Sequence, residues 1–355
     1  MTRLTLSDDG AALTVRLAAN PGGGEPVDLL RYVYRPTDVQ LESPRPYFHP
    51  LRTVGGDLVS LFRPHDHVWH KGIAWSLPNV GPHNFWGGPT YVRGQDYEQL
   101  DNDGSMVHEG FTAERADDDG VSVTESLVWV TQAGERVVKE VRSFTVSLAD
   151  PAASVPGAPE GPDLATSAPA EAGTGPSEAA PGPAWVLTFQ TTMTNISSGA
   201  LPIGSPTTNG RENAGYGGLF WRGPRSFTGG TILAPGFAGG EEIRGQRAPW
   251  VGFTGTQDES ARQSTLVMVD SSDNPRGPSS PGLDPEWFAR NEWFACVCAA
   301  PAFSEEIPFA PEESLTFRYA VVIADGGADA EGGAALAQIG SAALATRGSL
   351  AGRRG

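Results

Sequence analysis

Glycine and proline interrupt this chain so often that few runs have the length or periodicity of an amphipathic helix. The 355 residues include 45 glycines and 30 prolines. Between the breaks recur short runs rich in valine, threonine, phenylalanine and tryptophan, residues that suit a pleated, half-buried surface. An all-β class follows, and a large sandwich can occupy this length as one domain. The clearest strand runs are 11–17, 29–35, 121–130, 137–148, 185–196, 248–257, 264–272, 293–300 and 315–324. Gly55-Gly56 predicts a hairpin turn from YFHPLRTV into a strand DLVSLFRP, which Pro64 ends because proline cannot donate to a ladder. In 137–148 the even positions carry Val138, Phe144, Val146 and Leu148 but also Glu140 and Arg142, predicting a half-buried strand with one wetter end.

The character changes from Asp150 to Pro183, which contains no aromatic residue and almost no large aliphatic one. Such a segment cannot bury enough apolar surface to offset its ordering entropy. It is expected to be a disordered insertion at a surface turn. The strand at 185–196 would then pair directly with 137–148, since long surface insertions add only a modest closure cost. The expected organisation is one β domain over 1–325, interrupted at 150–183. A weak helix and flexible tail follow over 326–355, with LAQIGSAAL the best helical part.

Lysine and arginine number 25 against 42 aspartates and glutamates, a net charge of −17. That balance repels a nucleic-acid backbone, so no nucleic-acid partner is expected. No apolar run reaches membrane-spanning length and the N-terminus carries no apolar leader, so a soluble cytoplasmic protein is expected. Cys296 and Cys298 lie in the apolar run WFACVCAA and read as buried core thiols.

Against this background the histidines are crowded. Five of the six (His49, His65, His67, His70 and His83) fall between Pro44 and Gly88, and His108 follows soon after. Asp66, Arg52, Lys71, Trp69, Trp75 and Trp86 accompany them. Histidine changes charge near neutral pH and is the commonest protein metal ligand, so the stretch reads as a chemical centre. On an extended segment His65 and His67 would face one side about 7 Å apart, at roughly 3.3–3.4 Å per residue. Asp66 would face away unless the chain bends, and His70 could return through a turn. Two chemistries fit. One is metal-free acid–base work, in which one histidine donates a proton and a second base removes one. The other is a His65/His67/His70 centre holding Zn²⁺, Fe²⁺ or Mn²⁺ with carboxylate help.

Arg52, Arg211 and Arg222 suit oxyanions or hydroxyl-bearing substrates. Trp69, Trp75, Trp86 and Trp221 could offer flat faces to a sugar ring or simply fill a core. Asn84 could bind substrate or cap a turn. Gly215–Pro224 is glycine-rich but has neither the strand–turn–helix setting nor the lysine of a phosphate-binding loop.

These motifs resemble a β-rich bacterial family that carries the historical label methane oxygenase PmoA. The matching pieces are RPYFHPLRT at 45–53, RPHDHVWHKG at 63–72, NFWGG at 84–88, YGGLFWRGPR at 216–225, RAPWVGFTG at 247–255 and DSSDNPRGP at 270–278. The resemblance covers most of 29–325 and implies a twisted two-sheet supersandwich like galactose mutarotase. It also implies a sugar or sugar derivative as substrate rather than methane. By family pattern His49, Arg52, His65, Asp66, His67, His70 and Asn84 lie in or beside the pocket, with Arg222 approaching from the second half. Gly252 stands where the family often carries an acidic residue, which leaves Asp258 as a weak substitute base.

The leading expectation is a carbohydrate-active enzyme that moves a proton at or next to a carbonyl or anomeric carbon, as an epimerase, lyase or hydrolase. His67 and His70 are the acid/base candidates, with His65 and Asp66 positioning them. Arg52 and Arg222 would stabilise charge developing on oxygen, and His49, Asn84 and Trp86 would complete the substrate contacts. A metal-dependent oxygenase or hydrolase and a non-enzymatic carbohydrate-binding protein are the alternatives.

Overall fold

The computed structural model describes residues 4–19, 25–117, 120–149 and 182–351. The expected insertion falls outside these residues except for Gly182 and Pro183, as does the tail beyond Ala351. Two large antiparallel sheets hold most of the described strands, and Thr90–Val92 with Asp96–Glu98 forms a separate two-stranded ribbon, so the all-β sandwich expectation is met.

The first sheet runs, in spatial order, through Leu4–Asp8, Ala12–Leu17, Val27–Val33, Tyr47–Leu51, Ile73–Val80, Gly218–Arg222, Cys296–Ala300 and Glu286–Arg290. His83–Phe85 and Ile203–Gly204 pair off this path with Ile73–Val80. The second sheet runs through Phe237–Gly239, Thr231–Ala234, Trp250–Thr256, Gln263–Asp270, Ser314–Asp325, Ala184–Asn195, Arg136–Leu148, Gly120–Val130 and Ser105–Asp117. Ala184–Asn195 pairs along its length with Arg136–Leu148, as the insertion reading requires.

The period-two alternation of each strand decides what it buries. Trp75, Leu219, Trp221, Val297 and Trp287 from the first sheet meet Phe144, Phe189, Met268 and Phe317 from the second in one continuous core. Trp75 and Phe317 have ring centroids 5.1 Å apart across the layer. Trp75 and Trp221 are therefore core residues, not sugar platforms.

The outer face of the second sheet is also covered. Val186, Val267, Val269, Ala320 and Val322 pack against Leu336, Ala337 and Leu344 of the helix Ala330–Ala351. Asp329 caps it, its Oδ1 accepting from the Gly332 N–H at 2.8 Å. The glycines that weaken this helix on propensity let it lie close to the sheet. A Cβ at Gly340 would come within 2.8 Å of Val269 Cγ2.

Two local expectations need correction, and one open alternative is decided. DLVSLFRP is not a strand: it makes only isolated bridges, Arg52 with Leu58 and Phe62 with Lys71. Its backbone instead bonds to separate segments, Leu61 N–H donating to the Arg222 carbonyl at 3.0 Å. Nor does Arg136–Leu148 have a wetter end, because Glu140 and Arg142 are both buried. They pair at 2.7 Å, and Trp129 Nε1 and Thr191 Oγ1 donate to the Glu140 carboxylate, so the charges go underground together. Finally, the segment from His65 to Trp69, open to an extended or a looped form, is looped. It forms successive turns, with His67 N–H donating to the Pro64 carbonyl and His70 N–H to the His67 carbonyl.

Candidate functional site

The first sheet has a second face, turned away from the shared core. Alternation sends Leu219 and Trp221 inward, so Phe220 and Arg222 point to this other side. Likewise Phe288 and Arg290 oppose Trp287 and Ala289, while Cys296 and Cys298 oppose Val297. The two cysteines are free, buried thiols, as expected. Burial pushes the Cys296 thiol up to about 12, which leaves it inert.

Loops from four parts of the chain roof this face and enclose a cavity of about 260 Å³. His67, Trp69 and His70 come from the turn after Pro64, Trp86 and Gly87 from the next loop, and Tyr97 from the short strand Asp96–Glu98. Arg211 and Tyr216, then Arg290 and Phe294, come from the second half. The NFWGG motif shapes one wall. Asn84 Oδ1 accepts the N–H groups of Trp86 and Gly87, and Asn84 Nδ2 donates to the Gly88 carbonyl. Gly88 has φ +72°, and a Cβ there would sit 2.7 Å from the Trp69 ring. Asn84 thus braces the loop that presents Trp86 and does not itself line the cavity.

The two histidines in the wall are stacked, with centroids 4.7 Å apart and planes 13° apart. Their Nδ1 atoms face opposite kinds of partner. His67 Nδ1 lies 3.1 Å from Asp66 Oδ2. Asp66 also accepts from Arg222 Nη2 at 3.2 Å and Arg225 Nη2 at 2.7 Å. Its partial burial works upward, but the His67 hydrogen bond and the Arg222 charge hold this carboxyl well below the usual carboxylate range. An ionised Asp66 can only accept, so the proton of neutral His67 belongs on Nδ1 and its Nε2 keeps a lone pair. His70 Nδ1 lies 3.0 Å from Arg222 Nη1, which can only donate, so His70 carries its proton on Nε2. Burial lowers the pKa of both rings, that of His70 well below the ordinary value, with Arg222 acting in the same direction. Both are neutral at pH 7. Arg222 is fully buried and rests on the Phe294 ring, its Cζ 3.9 Å from the centroid.

Of the residues singled out from the sequence, the structure brings His67, His70, Asp66, Trp86 and Arg222 together, with Trp69 and Arg211 beside them. His65 is close but does not line the cavity; its Nδ1 is 3.1 Å from Arg225 Nη2. His49 does not reach the cavity either: it bonds to Ser60 Oγ at 2.8 Å and stacks on Phe62. Arg52 also lies away from it, donating to the Gly56 carbonyl. Lys71 is buried between Asp38 and Glu42 as a structural charge. Gly252 has no room for a carboxylate, since a Cβ would meet Val267 Cγ2 at 2.9 Å, and Asp258 is an exposed turn residue. Among the described residues no group of three or more His, Cys, Asp and Glu is placed to hold one metal ion. The expected His65/His67/His70 centre is not assembled, because His65 turns to Arg225 while the other two engage Asp66 and Arg222.

Sequence reasoning missed Tyr97, Phe288, Arg290 and Phe294. The alternation in EWFAR was the available signal for Phe288 and Arg290, whereas nothing local marked Tyr97. Tyr97 and Tyr216 share a hydroxyl–hydroxyl bond of 2.9 Å, and Arg211 donates to the Tyr97 hydroxyl.

Two large antiparallel sheets, one bearing a histidine–arginine–aromatic cavity on its outer face, define a β-sandwich protein with a small site of mixed polar and aromatic lining. The chain belongs to the family of unknown function DUF6807, whose profile matches residues 23–338. That match lends no support to the methane-oxygenase label. No curated protein matches the chain. A solved structure similar to it is a GH36 α-galactosidase from Geobacillus stearothermophilus in complex with raffinose, at 11% identity and a TM-score of 0.33. The similarity covers 91% of this chain and 41% of that one, so the chain spans less than half of that neighbour. No described helix is long and apolar enough to cross a membrane.

Proposed function

We propose that this protein is a carbohydrate-active enzyme that moves a proton at a carbon next to a carbonyl, as an epimerase or a lyase. The observation that carries the reading is the complementary pair of neutral imidazoles. His67 offers a lone pair at Nε2 while His70, 4.7 Å away ring to ring, offers an N–H at the same position. His67 is the base that takes the carbon-bound proton. His70 donates a hydrogen bond to the carbonyl oxygen as negative charge gathers there, held in that tautomer by Arg222. Asp66 orients His67 and steadies the imidazolium it becomes. Returning the proton to the other face gives epimerisation; expelling a group from the next carbon gives elimination.

The cavity suits one sugar ring. At about 260 Å³ it lies just below the roughly 300–1,000 Å³ of pockets for drug-sized ligands. Trp69, Trp86 and Phe294 give flat apolar walls, and Tyr97, Arg211 and the histidines give directed polar groups for hydroxyls. The hydrolase branch drops away because glycoside hydrolysis ordinarily uses two carboxylates flanking the bond. No aspartate or glutamate lines this cavity among the described residues.

The test is proton exchange. Sugars and sugar acids are incubated with the protein in D₂O, and the C–H signal beside the carbonyl is followed by NMR. The wild type should wash that signal out, and His67→Ala should slow the loss by roughly 10²–10⁴-fold, the usual contribution of a general base. Sugar binding without any exchange would instead favour the non-enzymatic carbohydrate-binding alternative.

A further inference from the structure

The cavity contradicts the charge of the molecule that contains it. The chain carries 42 acidic residues against 25 basic ones, yet the described cavity wall holds Arg211, Arg290 and two histidines with no carboxylate. The two arginines are not equivalent. Arg290 is already engaged, its Nε 3.2 Å from Glu241 Oε1. Arg211 donates to the Tyr97 hydroxyl and lies with its Cζ 4.6 Å from that ring's centroid. No carboxylate comes within ion-pairing distance of Arg211 among the described residues. Its guanidinium keeps further donors in a planar fork, the geometry that matches a carboxylate with two parallel hydrogen bonds. Tyr97, itself bonded to the partly buried Tyr216, holds this guanidinium at the exposed edge of the cavity.

We propose that the substrate is an anionic sugar, a uronate or related sugar acid, whose carboxylate binds Arg211. This rests on the sugar reading above and names its substrate class. The chemistry fits the histidine pair. In a uronate the C5–H lies beside the carboxylate, and pairing that carboxylate with a guanidinium lowers the cost of placing further negative charge on it. His67 takes the C5 proton, and the electron pair of the broken C–H bond moves into the carboxylate as an enediolate. Collapse of that pair onto a proton at the opposite face inverts C5. Collapse toward C4 forms a C4–C5 double bond, breaks the C4–O bond and releases the substituent oxygen, which takes up a proton. Neither route needs an oxidant or a reductant.

The experiment compares D-glucuronate and D-galacturonate with D-glucose and D-galactose, by calorimetric titration and by C5–H exchange in D₂O. Wild type, Arg211→Gln and Arg211→Lys are used, with melting temperature as the folding check. The acids should bind at least about 10-fold more tightly than their neutral counterparts, the difference worth about 1.4 kcal/mol. Arg211→Gln should abolish that preference, weakening the acids at least about 10-fold more than the neutral sugars, and Arg211→Lys should keep part of it. Equal binding of acid and neutral sugar, a preference that survives Arg211→Gln, or no binding of either acid would overturn the inference. Arg211-dependent binding without C5 exchange would leave the anion site standing and sink proton transfer. Exchange at C2 of the neutral sugars, the carbon beside their open-chain carbonyl, as fast as C5 exchange on the acids would do the reverse.

Discussion

Asp66 shows how much one side chain organises here. It is the common partner of Arg222, Arg225 and His67, and its charge fixes which nitrogen of His67 bears the proton. Asp66→Asn keeps the shape and removes the charge. Proton exchange should fall on the order of 10²-fold, the lower end of what acid–base catalysis contributes. The pH profile separates this from a merely structural loss. In the proposed mechanism His67 works deprotonated, so exchange should be lost as pH falls through its pKa, which burial places below the ordinary 6.5. Asp66 opposes that burial effect, so Asp66→Asn should move the acid limb to lower pH; an unmoved limb would show that Asp66 does not act on His67. The crowding of histidines made His67 and His70 legible in the sequence. It could not separate them from His49 and His65, because sequence adjacency does not say where a ring points. That decision belongs to the turns after Pro64 and to Ser60 and Arg225, which claim the other two rings.

Among elements, strands that bury a full alternating face were readable, and those whose partners are scattered were not. Ala184–Asn195 and Arg136–Leu148 announced themselves by pattern and pair as expected. DLVSLFRP carries strand-like residues, but its hydrogen bonds go to three different places, which no local period encodes. The C-terminal helix was legible only as weak, because its glycines count against it until the sheet beneath is known. Its stability comes from packing: Leu336 is 2% exposed, in one buried cluster with Val267 and Val322 of the sheet. Leu336→Ala should therefore cost roughly 2–5 kcal/mol in a denaturant titration, as buried leucine truncations do. A loss below ~0.5 kcal/mol would mean that the helix does not cover the sheet in solution.

At the scale of the whole molecule, the site exists only because the two halves of the chain meet. Arg222, on a central strand of the first sheet, reaches a histidine 152 positions earlier and sets its tautomer. The class of fold could be read from punctuation and alternation, since those are local. Tyr97, Arg290 and Phe294 could not, since only the topology carries them to one cavity. Nitrogen-15 NMR of the histidine side chains at pH 7 tests this most directly, with His67→Gln and His70→Gln supplying the assignments. The account predicts two neutral rings of opposite kind, His67 protonated on Nδ1 and His70 on Nε2. Two rings of the same tautomer, or a charged imidazolium at either position, would contradict it.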